Sequence, residues 1–293
     1  MIYFCKGFSP HVRPPGASEG RCTMPTVDVG GLELHYREAG SGTPVLLVHG
    51  FTGNSRNWAL TVPVLRSRYR VISPDLPGHG LSGRPTDPAA YSLEAMAEAV
   101  SALMDRLGLE GCHLVGHSMG GMIAQVIALS RPQRLRSLVL VDTSAEPPEG
   151  LRTRERARLV ELAREQGMEA VWEAQLAMNP MADQLRAQPE FLQTWREQFL
   201  MTSREAYIYC AQAMAQRRPL LDDLSRLELP VLIICGENDE PFVGPSQRMH
   251  ERIAGSELAL IPRCGHTPQI ERPDEFNAIL LRFLQRVDGV AAK

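Results

Sequence analysis

The chain has 293 residues, of which 44% are hydrophobic and 22% are charged, as in an ordinary globular protein large enough for one domain with an insertion. A formal net charge of −3 does not indicate binding to nucleic acid or to an anionic membrane, and no apolar run approaches the about 20 residues of a membrane span. The six scattered cysteines have neither zinc-ligand nor disulfide-framework spacing. We therefore expect a cytoplasmic protein without a metal, as a monomer or a homodimer.

Strand and helix patterns alternate along most of the chain. Residues 1–23 lack a periodic pattern, and we expect a disordered leader there rather than a cleaved signal peptide. A β-hairpin pattern begins at Val27, and apolar runs typical of buried strands follow over residues 44–50, 69–75, 112–117, 135–142, 230–237 and 256–262. Helical patterns lie between them, over residues 54–66, 92–107, 119–130, 245–253 and 268–287. This alternation predicts an α/β fold whose mainly parallel sheet carries helices on both faces.

The alternation breaks once, between Asp142 and Pro230, where the pattern is helical and interrupted by prolines. We predict that residues 24–145 and 229–293 form the α/β core and that residues 146–228 form a helical cap over it. Most aromatic and methionine side chains of the cap are expected to pack inside it. A few would line a substrate pocket, and our candidates are Met178, Trp195 and Phe199.

The stretch GHSMGG, residues 116–121, places Ser118 where a buried strand runs directly into a helix. Ligands of an open parallel sheet bind outside the carboxyl ends of its strands, so the serine is expected at the functional edge. The flanking glycines keep side chains away from a strained turn that exposes the hydroxyl. An ordinary serine N-cap is the competing interpretation. The context favours a catalytic nucleophile.

A serine hydroxyl needs an adjacent base to become a good nucleophile. Among eight histidines, His266 follows the last predicted strand, at the same edge of the sheet, and is our candidate base. The side chain of His117 should be turned away from that of Ser118 by the tight turn. His49 and His79 lie in glycine-flanked loops and are expected to hold those loops by hydrogen bonds.

The base in turn needs a carboxylate that fixes its tautomer. Asp239 follows the strand at residues 230–237 and is our candidate, whereas Asp142, Glu237 and Glu240 are its rivals. Backbone N–H groups must then stabilise the oxyanion that forms on attack. We expect them from Met119, the residue after the serine, and from the loop after the strand at residues 44–50, where Phe51 is favoured over Thr52.

The motifs HGFTGN, DLPGHGLS, GHSMGG, GENDEP and GHTPQIERPDEF follow one another in this order. With them the chain resembles the α/β-hydrolase fold superfamily over residues 25–287. The resemblance implies an eight-stranded sheet with one antiparallel strand, a helical lid after the sixth strand, and acyl-enzyme chemistry on the triad Ser118, Asp239 and His266. It also implies that neither a metal nor a cofactor takes part.

The function that we predict is hydrolysis of a small-molecule carboxylic ester with a small to medium hydrophobic acyl or alcohol group, with Thr52 and Met122 as further pocket residues. A second hypothesis is a lyase or synthase of the menaquinone-pathway type. That branch carries an arginine where Met122 stands, and its carboxylated substrate would need cationic anchors, for which the candidates are Arg154, Arg158, Arg186 and Arg204. A lactonase and a ligand receptor built on the same fold are also compatible with these motifs.

Overall fold

One eight-stranded sheet organises the parts of the chain that the structure, a computed structural model, describes: residues 25–147, 151–178 and 189–289. The leader expected at residues 1–23 lies outside them. The strands are β1 (Thr26–Asp28), β2 (Glu33–Ala39), β3 (Thr43–Val48), β4 (Tyr69–Pro74), β5 (Cys112–His117), β6 (Leu135–Val141), β7 (Val231–Gly236) and β8 (Glu257–Ile261), and their order in the sheet is β1-β2-β4-β3-β5-β6-β7-β8. Strand β2 runs antiparallel to both of its neighbours, and all other pairs are parallel. The predicted fold, with its one antiparallel strand, is confirmed.

The central strands are apolar along their whole length because both faces of the sheet are covered. Consecutive residues point to opposite faces, so that Leu114 of β5 joins one hydrophobic core and Val115 joins the other. The first core includes side chains of α2 (Leu93–Arg106), α3 (Met119–Ser130) and α7 (Glu240–Arg252). The second core contains side chains of α1 (Val62–Leu65) and α9 (Pro273–Val287). Helices on both faces, as the sequence predicts, thus exclude water from the middle of the sheet.

Three predicted helices differ from those observed. The helix expected at residues 54–66 is a 3₁₀ turn, Ser55–Trp58, followed by the short α1, because the Asn54 and Asn57 side chains hydrogen-bond to backbone N–H groups and close the turn locally. Helix α7 begins at Glu240, ahead of the predicted residue 245, and contains Pro245. The helix expected at residues 268–287 is divided into α8 (Pro268–Glu271) and α9. Arg272 separates them with φ −135° and ψ 58°, because the proline that follows it disfavours helical backbone there.

The described residues between β6 and β7 contain helices and no strand. These three insertion helices are α4 (Leu151–Met178), α5 (Pro189–Leu200) and α6 (Arg204–Gln216). Gly167 breaks α4 with φ 82° and ψ −176°, a conformation that glycine adopts without strain. Trp172, Phe199 and Tyr207 form a separate hydrophobic core among the insertion helices. None of the helices in the described ranges is long and apolar enough to cross a bilayer.

Two buried imidazoles hold the loops that follow β3 and β4. The Leu76 N–H donates to His49 Nε2 at 2.9 Å, so His49 Nδ1 carries the proton and donates to the Gly50 carbonyl at 2.8 Å. His79 Nδ1 donates to the Pro77 carbonyl at 2.9 Å. Burial and, to a smaller extent, the neighbouring His49 lower the pKa of His79 to about 3, and burial also lowers the pKa of His49. Both imidazoles therefore bind these loops as neutral groups.

The neutral His79 should make the fold sensitive to acid. An unfolded histidine binds a proton below about pH 6.5, whereas folded His79 stays neutral to about pH 3, so the unfolded state binds more protons between these values. The free energy of unfolding should therefore fall by about 1.4 kcal/mol per pH unit on acidification through this range. Urea unfolding of His79→Gln should show a correspondingly shallower pH dependence. The exposed His250→Gln is the matched control, and an equal change of slope in both variants would contradict the assignment.

Candidate active site

The strand-to-helix turn at Ser118 is strained and very tightly packed. Ser118 has φ 52° and ψ −116°, a left-handed conformation that costs a non-glycine residue about 1–3 kcal/mol. A Cβ atom on Gly116 would lie 2.3 Å from the Gly120 carbonyl oxygen, and one on Gly120 would lie 2.3 Å from the Val48 carbonyl oxygen. Only glycine fits at these positions, so the spacing seen in the sequence has a steric cause.

The three residues selected from the sequence lie together at the carboxyl edge of the sheet. Ser118 Oγ is 3.0 Å from His266 Nε2, and His266 Nδ1 is 2.7 Å from Asp239 Oδ2. Because the carboxylate accepts from Nδ1–H, the Nε2 lone pair can accept the proton of the serine hydroxyl. Ser118 and Asp239 are buried, while the His266 side chain is 40% exposed. The Phe242 ring stacks on the imidazole, with 4.8 Å between the ring centroids.

Two further residues fix the loop that carries His266. Glu271, one turn later, accepts hydrogen bonds from the N–H groups of Gly265 and Thr267 at 2.8 and 2.9 Å. His117 Nε2 donates to the His266 carbonyl at 2.7 Å, although the sequence suggested only that this side chain is turned away from Ser118. Burial, with a smaller contribution from His266, lowers the pKa of His117 to about 3, so it acts as a neutral donor. Thr267 and Glu271 are four residues apart, one more than in a capping box, so no standard motif in the sequence indicates this contact.

Asp142, the rival for the carboxylate role, hydrogen-bonds elsewhere. Its Oδ1 accepts from the Gly236 N–H at 2.9 Å, and its side chain is fully buried. Burial and the neighbouring Asp239 carboxylate raise the pKa of Asp142 well above its ordinary value, which favours its protonated form. The remaining carboxylate candidates, Glu237 and Glu240, are exposed. Asp239 is therefore the carboxylate that His266 contacts.

Asp142, Cys235 and Asp239 also form a cluster whose donor atoms lie within 4.8 Å of one another. A metal ligand must be deprotonated, yet burial raises the pKa of the Cys235 thiol as well as that of Asp142. This chemistry disfavours a cation and instead fits two carboxyl groups that carry one negative charge.

The shared charge predicts a pH effect on stability. Unfolded Asp142 loses its proton near pH 3.8, whereas in the fold it keeps the proton to a higher pH, so the native state binds more protons in that window. The free energy of unfolding should therefore fall as pH rises through it. In Asp142→Asn this decline is absent, because an amide does not titrate, and urea unfolding at several pH values measures it. The exposed Glu228→Gln is the control, and an unchanged decline in Asp142→Asn would show that the carboxyl is ionised.

A cavity of about 800 Å³ opens beside Ser118 and His266. Of the pocket residues predicted from the sequence, Thr52, Met122 and Trp195 line it, as does Phe51. The prediction for Phe199 and Met178 is wrong. The Phe199 side chain is 2% exposed and packs between Trp172 and Tyr207 in the core of the insertion helices, and Met178 is 54% exposed outside the cavity wall. Helical spacing alone did not reveal which side of each helix faces the sheet.

The loop after β3 passes directly beside the serine. A Cβ atom on Gly50 would lie 3.1 Å from Ser118 Cβ, so the backbone leading to Phe51 is in close contact with the turn. The Gly53 N–H donates to the Gly50 carbonyl at 3.0 Å and closes a tight turn in which Thr52 has φ 60°. Met119 begins α3 on the opposite side of Ser118. The two candidate oxyanion donors therefore belong to segments that adjoin the hydroxyl.

The cationic residues of the cavity wall are not those proposed from the sequence. Arg154, Arg158 and Arg204 are exposed and do not line the cavity, and Arg186 lies outside the described residues. The arginines that do line it are Arg156, Arg217 and Arg248. The wall also contains the amide side chains of Gln175 and Gln198, so it is more polar than the sequence suggested.

Comparison with known proteins places this geometry in a family. The model of the α/β hydrolase fold matches residues 43–273. The chain belongs to the α/β-hydrolase family. The chain is 28% identical to the 2-hydroxymuconate semialdehyde hydrolase of Pseudomonas sp. (strain CF600). The match covers 89% of this chain and 93% of that protein.

Solved structures of this family are equally similar. The malate-bound thermophilic esterase from Thermogutta terrifontis has a TM-score of 0.79 at 31% identity, over 90% of this chain and 97% of the other. The enol-lactonase from Burkholderia xenovorans LB400 has a TM-score of 0.80 at 28% identity, over 89% and 100%. The chain is thus similar to proteins named as a semialdehyde hydrolase, an esterase and an enol-lactonase.

Proposed function

We propose that the protein is a serine hydrolase that cleaves carboxylic esters through an acyl-serine intermediate. The observation that carries this proposal is the hydrogen-bonded series Ser118, His266 and Asp239, whose serine faces a cavity. A nucleophile, a base and a residue that orients the base are the parts that acyl transfer needs. The similar esterase and the membership of the hydrolase family support the same reaction class.

In the proposed reaction, His266 Nε2 takes the proton of Ser118 as Oγ attacks the ester carbonyl carbon. Asp239 stabilises the imidazolium that forms and holds its Nδ1–H in place. The protonated imidazole then gives its proton to the departing alkoxide, which leaves as the alcohol, and Ser118 remains acylated. A water molecule that loses its proton to His266 attacks the acyl carbon, and His266 returns the proton to Ser118 Oγ as the bond to the serine breaks and the acid is released.

The negative charge on the attacked carbonyl oxygen needs fixed donors. We propose the backbone N–H groups of Phe51 and Met119, because the two segments that carry them adjoin Ser118. Donors of this kind contribute about 2.7–4 kcal/mol each to lowering the barrier. Met119 also begins α3, whose positive dipole end is directed at the same oxygen.

We further propose that the insertion helices act as a lid. Gln175, Trp195 and Gln198, from α4 and α5, share the cavity wall with Ser118. Lactone hydrolysis is the second candidate, because it uses the same attack on a carbonyl and because the similar structures include an enol-lactonase. Elimination is a further candidate, because Arg156, Arg217 and Arg248 line the cavity as cations for a carboxylated substrate, although α3 presents Met122 rather than an arginine.

Replacing the nucleophile tests this function. Ser118→Ala should lower kcat for p-nitrophenyl butyrate by about three powers of ten or more, because without Oγ no acyl-enzyme forms. Stopped assays of p-nitrophenol release measure the rate, and circular dichroism checks that the variant is folded.

The exposed Ser67→Ala should retain the wild-type rate and serves as the matched control. Turnover by Ser118→Ala close to that of the wild type would refute the assignment. A parallel assay with δ-valerolactone, in which the release of acid is measured, shows whether a cyclic ester is preferred to a linear one.

A further inference from the structure

The described wall of the cavity carries more positive than negative charge. Arg156, Arg217 and Arg248 line it, whereas Glu146 is the sole carboxylate among the described lining residues. In a partly enclosed site such charges act through a lower effective dielectric than in water, so they select for the charge of a ligand. A cavity adapted to a purely hydrophobic ester would not need this excess.

Two of the three arginines connect separate elements of the wall. Arg248 forms an ion pair with Glu146 at 2.8 Å. Arg217 donates to the backbone carbonyls of Met214 and Glu146, and burial lowers its pKa to about 10, which leaves it charged at neutral pH. These contacts connect the segment after β6 with α6 and α7. Both arginines therefore stabilise the structure of the cavity wall.

Arg156 lies next to Phe51, the residue that we propose as an oxyanion donor. Its guanidinium carbon lies 5.1 Å from the centroid of the Phe51 ring, and that ring is 5.0 Å from the ring of Tyr207. Phe51 follows Gly50, whose backbone is in contact with Ser118. The guanidinium of Arg156 thus lies on the cavity wall beside Phe51, and Gly50, the residue before Phe51, contacts the turn at Ser118.

We propose that Arg156 binds a carboxylate of the substrate, so that the ester cleaved at Ser118 is a monoester of a dicarboxylic acid. This inference rests on the proposed ester hydrolysis and names its substrate class. A guanidinium presents paired N–H donors that match the two oxygens of a carboxylate, and the Phe51 ring stabilises the cation through its face. Gln175 and Gln198 line the same wall and supply amide donors for the anion.

A pair of substrates that differ only in charge tests this proposal. Mono-p-nitrophenyl glutarate carries a terminal carboxylate, and p-nitrophenyl valerate carries a methyl group in its place. The measured quantity is the ratio of kcat/KM for the anionic ester to that for the neutral ester. We expect Arg156→Gln to lower this ratio about tenfold or more, chiefly through KM, because the lost interaction binds the ground state.

Arg154→Gln is the matched control, since Arg154 lies on the same helix, is exposed and does not line the cavity. It removes the same charge and should leave both rates unchanged. Arg156→Lys keeps the charge without the paired donors and should give an intermediate ratio. A ratio in Arg156→Gln that stays within about twofold of the wild type would overturn the carboxylate site.

Failure of the proposed function would look different. If the wild type hydrolysed neither ester faster than Ser118→Ala, ester hydrolysis itself would be wrong. Isothermal titration calorimetry measures the affinity for monomethyl glutarate without turnover, in Ser118→Ala and in the double variant Ser118→Ala, Arg156→Gln. Weaker binding of this monoanion to the double variant, with dimethyl glutarate unaffected, supports the carboxylate site, and equal binding to both variants overturns it.

Discussion

The structure around the candidate site depends on one strained turn, in which β5 ends and α3 begins at Ser118. The left-handed backbone of this residue persists because surrounding hydrogen bonds hold it. The Ser118 N–H donates to the Val141 carbonyl at 2.8 Å, and the Thr143 hydroxyl donates to the Ser118 carbonyl at 2.7 Å. Both partners come from the neighbouring strand or from the loop that follows it. Strain of about 1–3 kcal/mol is thus stored where a projecting hydroxyl is needed.

The loops that carry Ser118, Asp239 and His266 meet at this edge of the sheet. Other residues hold these loops in place by hydrogen bonds. Asp142 binds the Gly236 N–H ahead of the Asp239 loop, and Glu271 binds the N–H groups of the His266 loop. His117 adds a hydrogen bond from the serine turn to the His266 carbonyl. Burial favours the neutral form of both Asp142 and His117, which limits further charge beside Asp239 and His266.

The cavity combines two kinds of surface with different consequences for a ligand. Phe51, Met122 and Trp195 give it apolar contact area, while Arg156, Gln175 and Gln198 of the insertion helices add polar groups to its wall. A substrate with one reactive carbonyl and one anionic end would match this division, and a wholly apolar ester would leave the charged wall uncompensated. The insertion helices and the core thus both contribute side chains to the wall of the cavity.

The sequence by itself determined the mainly parallel sheet and the order in which strands and helices alternate along the chain. It also indicated Ser118, Asp239 and His266 as the residues that meet at one edge of that sheet. Each of these depends on local information: buried strands are apolar throughout, and chemistry-bearing residues follow directly at the ends of those strands, where parallel strands share one edge. The break within residues 268–287 was also open to local reasoning, since Pro273 determines it.

Only the tertiary structure decided which side chains of the insertion face the cavity. Phe199 and Arg156 both lie in helices of the insertion. Phe199 is nevertheless buried in the core of these helices, whereas Arg156 lines the cavity. Orientation of this kind depends on how three helices pack on one another and on the loop after β3, which are contacts between residues far apart in the chain. The same reason applies to His117 and Asp142, whose pKa shifts follow from burial that no stretch of sequence specifies alone.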